Sequence, residues 1–176
     1  MIIMKFGGTS VGNAERIRKT CDIIKSHLER KPVVVVSAVA KITDALIRLA
    51  KEASEGQGDE TFNEIKKTHC QITNELGIIK NILENDFAEL SDCVGRMRME
   101  KQLNDAGLDI FQSFGERMSS KIFAAYLSSA GIEAKPFNSW ELGLITTHDF
   151  GNAEPIEKSY KPIKDNISKL RFIPVI

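Results

Sequence analysis

The sequence predicts an α/β domain built on a parallel sheet, and three features near its amino terminus carry that reading. Ile2, Ile3, Met4 and Phe6 form a short apolar strand that runs directly into Gly7, Gly8 and Gly12, residues that allow backbone paths which side chains would obstruct. Between Asn13 and Arg30, Ile17, Cys21, Ile24 and Leu28 recur at steps of four, three and four with charged residues between them, the pattern of an amphipathic helix. Pro32 ends that helix, and Val33 to Val36 follow as an unbroken β-branched run, suited to a strand buried on both faces. Strand, helix and strand make the βαβ unit that opens an α/β domain.

The totals narrow the class further. A chain of 176 residues, 42% hydrophobic and 27% charged, is long enough for one domain with a sizeable core and too short for two ordinary ones. Lys plus Arg and Asp plus Glu both total 24, so no global field draws the molecule to nucleic acid or to an anionic membrane, and any anion site is local. Cys21, Cys70 and Cys93 are odd in number and widely separated, with no CxxC pair and no histidine at metal-ligand spacing, which points to a reducing compartment. The apolar start is too short for a signal-peptide core, and no run approaches the roughly 20 residues of a membrane span. A cytoplasmic protein with neither nucleic-acid nor membrane partners is expected.

Taken in order, the glycine turn is the first candidate site. Lys5 stands at its entrance; if a helix follows, backbone N–H groups, the positive end of a helix dipole and an ammonium converge, which suits a phosphate. The lysine precedes the glycines, so the pattern is neither a Walker loop nor a dinucleotide turn, and a plain tight connection is an equal alternative. The second strand exits into Ser37 and Ala38, and Thr43-Asp44 precedes a helix marked by Leu46, Leu49, Ala50 and Ala53. Thr43 is expected as its N-cap, a plain cap because Leu46 stands where a capping box would have an acid. Ligands of α/β proteins gather in loops at the carboxyl ends of parallel strands, which brings Ser37 and Thr43 forward together.

After a polar loop at Glu55 to Glu60, Phe62, Ile65, His69, Ile72 and Leu76, and then Ile82, Leu83, Phe87, Leu90, Val94 and Met97, keep helical spacing. They predict an antiparallel helical hairpin over about residues 61–101, joined by a Leu76 to Lys80 turn. His69 lies on the apolar seam and is expected to be a packed core residue. Arg96, Arg98 and Lys101 are read as a solvated helix face. Ser113 and Glu116 match a capping box and are expected to open the next helix, which ends at Gly131; Glu116 then either caps or holds the amino group of a substrate. Strands are expected around Ala134 to Phe137, Leu144 to Thr147 and Phe172 to Ile176, with a short helix marked by Ile163, Ile167 and Leu170. A chain that stops within an apolar strand is expected to be a piece of something longer.

Four strings in order, Lys5-Phe-Gly-Gly-Thr-Ser-Val-Gly12, Val33-Val-Val-Val-Ser-Ala38 with Thr43-Asp44, Ser113-Phe-Gly-Glu-Arg-Met-Ser-Ser120, and Phe150-Gly-Asn-Ala153 before Ile173-Pro-Val175, resemble the aspartate kinases. The resemblance runs the length of the chain but stops short of the family's later Gly-Phe and Gly-Arg-Gly-Gly-Ser-Asp segments and its paired regulatory domains. It implies the amino-acid-kinase fold, a three-layer αβα sandwich with a largely parallel sheet, here with the helical hairpin inserted and the carboxyl-terminal half of the domain missing. The activity implied is transfer of the γ-phosphoryl group of ATP, as its magnesium complex, to the β-carboxylate of L-aspartate, giving 4-phospho-L-aspartate at the head of lysine, threonine and methionine biosynthesis.

By likeness, Lys5 sits on the transferring phosphoryl group; Lys5, Phe6, Gly7, Gly8 and Ser10 form the phosphate and ATP set; and Ser37, Thr43 and Glu116 line the aspartate pocket. No residue is an evident metal ligand. The complete enzyme is expected to be a homo-oligomer, and the 176-residue chain alone to be inactive. Lys41 and Thr147 depart from the family pattern, the first standing where a small residue is usual and the second where an acid or amide is usual. The alternatives are another amino-acid kinase, a kinase fused to a homoserine dehydrogenase, or a non-catalytic module.

Overall fold

The computed structural model describes residues 1–78 and 81–176. Among these, in chain order, are β1 (Ile2–Phe6), α1 (Ala14–Lys25), β2 (Pro32–Val36), α2 (Ile42–Ser54), α3 (Asp59–Leu76), α4 (Glu84–Glu100), α5 (Asp105–Ser129), β3 (Ala134–Pro136), α6 (Tyr160–Lys169) and β4 (Ile173–Val175). The strands form one parallel sheet in the order β1-β2-β4-β3. Steps from β1 to β2 and from β2 to β3 cross the sheet in one direction, and the step from β3 to β4 runs back. Right-handed crossovers then put α1 and α5 on one face and α6 on the other. The result is the expected three-layer αβα arrangement.

Alternation along the strands sorts their side chains. Met4, Phe6, Val34, Val36, Ala134, Ile173 and Val175 join the main core on the α1 and α5 side, while Ile3, Lys5 and Val35 turn to the other face. Register pairs Lys5 with Val35 and Phe6 with Val36. Helix α1 buries Ile17, Cys21 and Ile24, but it stops at Lys25. Leu28, expected on the same stripe, lies instead in a 3-10 turn and is exposed.

Helices α3 and α4 run antiparallel and lean on α2 and α5. Arg98, near the end of α4, donates to the Gln57 carbonyl at 3.0 and 2.9 Å and pairs with Asp59 at 2.7 Å. It ties the helix pair together at its open end, a departure from the solvated face to which Arg96 and Lys101, both exposed, do belong. Gly77 closes α3 in the left-handed conformation; Ile79 and Lys80 of the expected turn lie outside the described residues. His69 is fully buried, with Nδ1 2.8 Å from the Ile65 carbonyl and its ring edge-on to Phe87. It is the core residue its position on the seam suggested.

Helix α5 is longer at its amino-terminal end than the local signals predict. It begins at Asp105, capped by the Asn104 side chain, which accepts from the Gly107 N–H at 2.8 Å. Ser113 and Glu116 are therefore interior residues, and the Ser113 hydroxyl donates back to the Ile110 carbonyl at 2.7 Å, so the Ser-x-x-Glu string caps nothing. Fully buried Phe111 and Phe114 extend the helix upstream of the expected start. A capping contact does occur later, where the Glu141 carboxylate accepts from the Asn138 N–H at 2.6 Å. Leu144 to Thr147 is not a strand either: Thr146 makes only an isolated antiparallel bridge to Pro155, continued by Thr147 N–H to Glu154 at 2.8 Å.

Candidate functional site

The glycine turn does not feed α1 directly. Gly8–Val11 forms a 3-10 turn, and α1 starts at Ala14 with Asn13 as its cap, the Asn13 carboxamide accepting from the Arg16 N–H at 2.9 Å. The helix end thus has its own local acceptor, and a short spacer separates it from Gly7 and Gly8. The spacer is tied down three ways. Ser10 N–H donates to the Gly7 carbonyl at 2.8 Å, the Thr20 hydroxyl to the Ser10 carbonyl at 3.0 Å, and an Arg16 guanidinium nitrogen to the Thr9 carbonyl at 2.5 Å. Lys5 is exposed. Phe6 packs against the core, so any contact it makes with a ligand comes from its backbone.

Beside this turn, at the carboxyl ends of the strands, is a cleft of about 230 Å³. Val35, Val36 and Ile176 form its floor, α5 supplies one wall, and Phe137 to Trp140 supply the rim. The wall is Ser113, Glu116, Arg117 and Ser120, spaced so that one helix face carries all four. The sequence holds that polar stripe, but a helix expected to start at Ser113 makes its first residue a cap and hides the continuous face. Lys5 stands one strand away from the cleft floor, through its register with Val35.

The wall is braced from behind. Arg117 lies over the Phe114 ring at 4.4 Å, pairs with Glu89 and sits 3.7 Å from Asp86. The hydrogen bond from Arg117 holds the Glu89 carboxyl below the usual carboxylate range. Asp86 is fully buried and receives the Lys121 ammonium on both oxygens, at 2.8 and 2.6 Å. In front, Glu116 Oε1 accepts from the Ala38 N–H at 3.2 Å.

Of the three predicted acceptor contacts, Glu116 lines the cleft, while Ser37 and Thr43 are not among the residues that line it. Ser37 follows Val36 directly and extends the strand pairing, its N–H donating to the Phe6 carbonyl at 3.0 Å. Thr43 is half-buried in the first turn of α2 and is not the N-cap; Lys41 holds that position, with φ of 70°. A lysine at positive φ carries a local strain that a glycine would not.

A larger groove, of about 630 Å³, opens at the amino-terminal ends of the strands between Met1, Val33, Phe172 and Ile167. It is remote from the Lys5 turn. Among the described residues no group of three or more His, Cys, Asp or Glu side chains is placed to hold a metal ion, and no helix is long and apolar enough to cross a membrane. Glu116 offers the cleft a carboxylate suited to a cationic group, and Lys5 with the glycine turn, at the end of the neighbouring strand, offers donors suited to an anion.

Compared with known proteins, residues 1–176 match the amino acid kinase family. The chain is 33% identical to the chloroplastic Aspartokinase 2 of Arabidopsis thaliana over 99% of its own length and 34% of that protein's. It is 29% identical to Aspartokinase 3 of Bacillus subtilis, over 97% of this chain and 38% of the relative. Its fold resembles that of E. coli aspartokinase III in complex with aspartate and ADP, with a TM-score of 0.84 at 23% identity, covering 99% of this chain and 40% of that one. The chain spans about a third of the length of the plant relatives it matches.

Proposed function

The chain belongs to the amino acid kinase family, and on that premise we propose that it forms the amino-terminal part of an aspartokinase catalytic domain, carrying the phosphate turn and most of the acceptor pocket. The reaction is transfer of the γ-phosphoryl group of ATP to the β-carboxylate of L-aspartate, in the cytoplasm, at the start of lysine, threonine and methionine biosynthesis. The observation that supports the reading is Glu116 on the wall of a cleft at the carboxyl ends of the strands, with exposed Lys5 in register with the cleft-lining Val35 of the neighbouring strand.

Phosphoryl transfer asks for positioning and charge neutralisation more than for covalent work. Lys5 supplies the positive charge for the transferring group, and backbone N–H groups around Gly7, Gly8 and Ser10 cradle the phosphates. Glu116 takes the substrate ammonium while Ser37 and Thr43 offer hydroxyls to its carboxylates. Magnesium enters with the nucleotide, since such ions are held mainly by phosphates, water and one or two carboxylates.

The test is an acceptor screen on the complete protein. Purified enzyme with ATP and magnesium is offered aspartate, glutamate, acetylglutamate or carbamate, and the acyl phosphate is trapped with hydroxylamine. Hydroxamate formed only with aspartate is expected, and product with another acceptor instead would refute the assignment. The isolated chain is expected to give none above a no-aspartate control, because about two thirds of the relatives' length lies outside it.

A further inference from the structure

The segment from Ser37 to Lys41 is wedged between the two halves of the candidate site, and glycines make the room for it. A methyl group on Gly115 would lie 2.6 Å from the Ala38 β-carbon, closer than such atoms approach. One on Gly8 would lie 3.1 Å from the Ala38 carbonyl oxygen, and one on Gly12 would lie 3.1 Å from the Ala40 β-carbon. Gly115 precedes Glu116 on the cleft wall, whereas Gly8 and Gly12 belong to the phosphate turn. Two hydrogen bonds fasten the same segment to both sides, Ala38 N–H to Glu116 Oε1 at 3.2 Å and Ser37 N–H to the Phe6 carbonyl at 3.0 Å.

We propose that Ala38 and Gly115 are positioning residues: the 37–41 segment sets the spacing between the acceptor pocket and the phosphate turn, and through it acceptor and nucleotide each tighten the binding of the other. This rests on the functional reading above. An ammonium that engages the Glu116 carboxylate competes for the oxygen that holds Ala38. Because there is less than a methyl group's room between Ala38 and Gly115 on one side and little more than that between Ala38 and Gly8 on the other, a shift of Ala38 is passed on to its neighbours, as in any close-packed interior. Coupling of this kind is reciprocal: the factor by which aspartate changes nucleotide affinity equals the factor by which nucleotide changes aspartate affinity.

The experiment is a titration of the complete protein with ADP and with aspartate, each with and without the other, in wild type, Gly115→Ala, Ala38→Gly and the double variant. In wild type each ligand is expected to tighten the other about fivefold or more. Gly115→Ala is expected to weaken ADP binding about tenfold, although its nearest neighbours are Ala38 and Leu46 and not the phosphate turn. Adding Ala38→Gly removes the obstructing methyl and should restore ADP affinity to within about twofold, a rescue that general loss of stability would not give.

Ala38→Gly alone should bring the coupling factor toward one while aspartate affinity without ADP is retained; if Gly115→Ala does not fold, this variant decides. Unchanged coupling in Ala38→Gly, or a double variant no better than Gly115→Ala, overturns the proposal. Wild type that binds both ligands with a coupling factor of one overturns the coupling alone, whereas wild type that binds ADP and not aspartate overturns the acceptor assignment.

Discussion

The helical layer of α3, α4 and the back of α5 and the carboxyl end of the sheet both carry charged side chains, but the two regions use them in opposite ways. In the helical layer the charges are consumed by one another: Asp86 by Lys121, Glu89 by Arg117, Asp59 by Arg98. At the carboxyl end the polar stripe of α5 opens onto a cleft, Glu116 meets a backbone N–H and, among the described residues, no cation, and Lys5 stands exposed at the end of β1. Polar content alone therefore does not mark a site. What marks it is polar groups left facing an opening where parallel strands end.

On that division, changes in the first region are expected to cost stability and changes in the second to cost function. The largest effect is expected from Asp86→Ala. It leaves the Lys121 ammonium beside a buried gap and should lower unfolding free energy by about 3–5 kcal/mol, read by denaturant titration; a loss below about 1 kcal/mol would erase the contrast. Next, Lys5→Ala in the complete protein should lower kcat about 10²–10³-fold with a much smaller change in KM for aspartate, as loss of a group acting on developing charge does. An unchanged kcat would remove Lys5 from the catalytic set.

Glu116→Gln sharpens the division within one side chain. The amide oxygen can still accept from Ala38 N–H, but the charge facing an ammonium is gone. Aspartate affinity should fall about 10- to 100-fold, while unfolding free energy stays within about 0.5 kcal/mol. The smallest effect is a pH dependence in the helical layer. Burial pushes the His69 pKa below its ordinary value of 6.5, against opposing contributions from the Ile65 carbonyl and Asp86. The unfolded chain then binds the proton more readily, so stability is full above pH 6.5 and declines as pH falls from there toward the folded-state pKa. His69→Gln should flatten that decline, and a slope identical to wild type would exclude His69 as its source.

Much of this was legible in the residues because its cause is local. Ile2 to Phe6 and Val33 to Val36 read as strands from β-branched and apolar runs, and Ile65, His69 and Ile72 declare a buried helix face by spacing. The misreadings arose where a local signal competed with a longer one. Ser113 and Glu116 imitate a helix start, yet Phe111 and Phe114 bury themselves and carry α5 through that point. Thr43 looks like a cap, yet the chain turns at Lys41, a residue type that gives no warning of positive φ. The wedge of Ala38 against Gly8 and Gly115 could not be read at all, since it joins residues distant in sequence whose only shared property is small size.

The strand order carries a consequence for how the molecule assembles. β4 follows β3 in sequence yet lies between β2 and β3, so β2 pairs on that side only once Ile173 to Val175 reach Val34. Helical contacts within α2 to α5 are closer in sequence and can form sooner, while joining β2 to β4 closes a loop of more than a hundred residues, a slow kind of event. In the interval the apolar edge of β2 is open to other chains. Refolding is accordingly expected to show early helical signal, a later sheet-completing phase, and losses to aggregation that grow with protein concentration between the two.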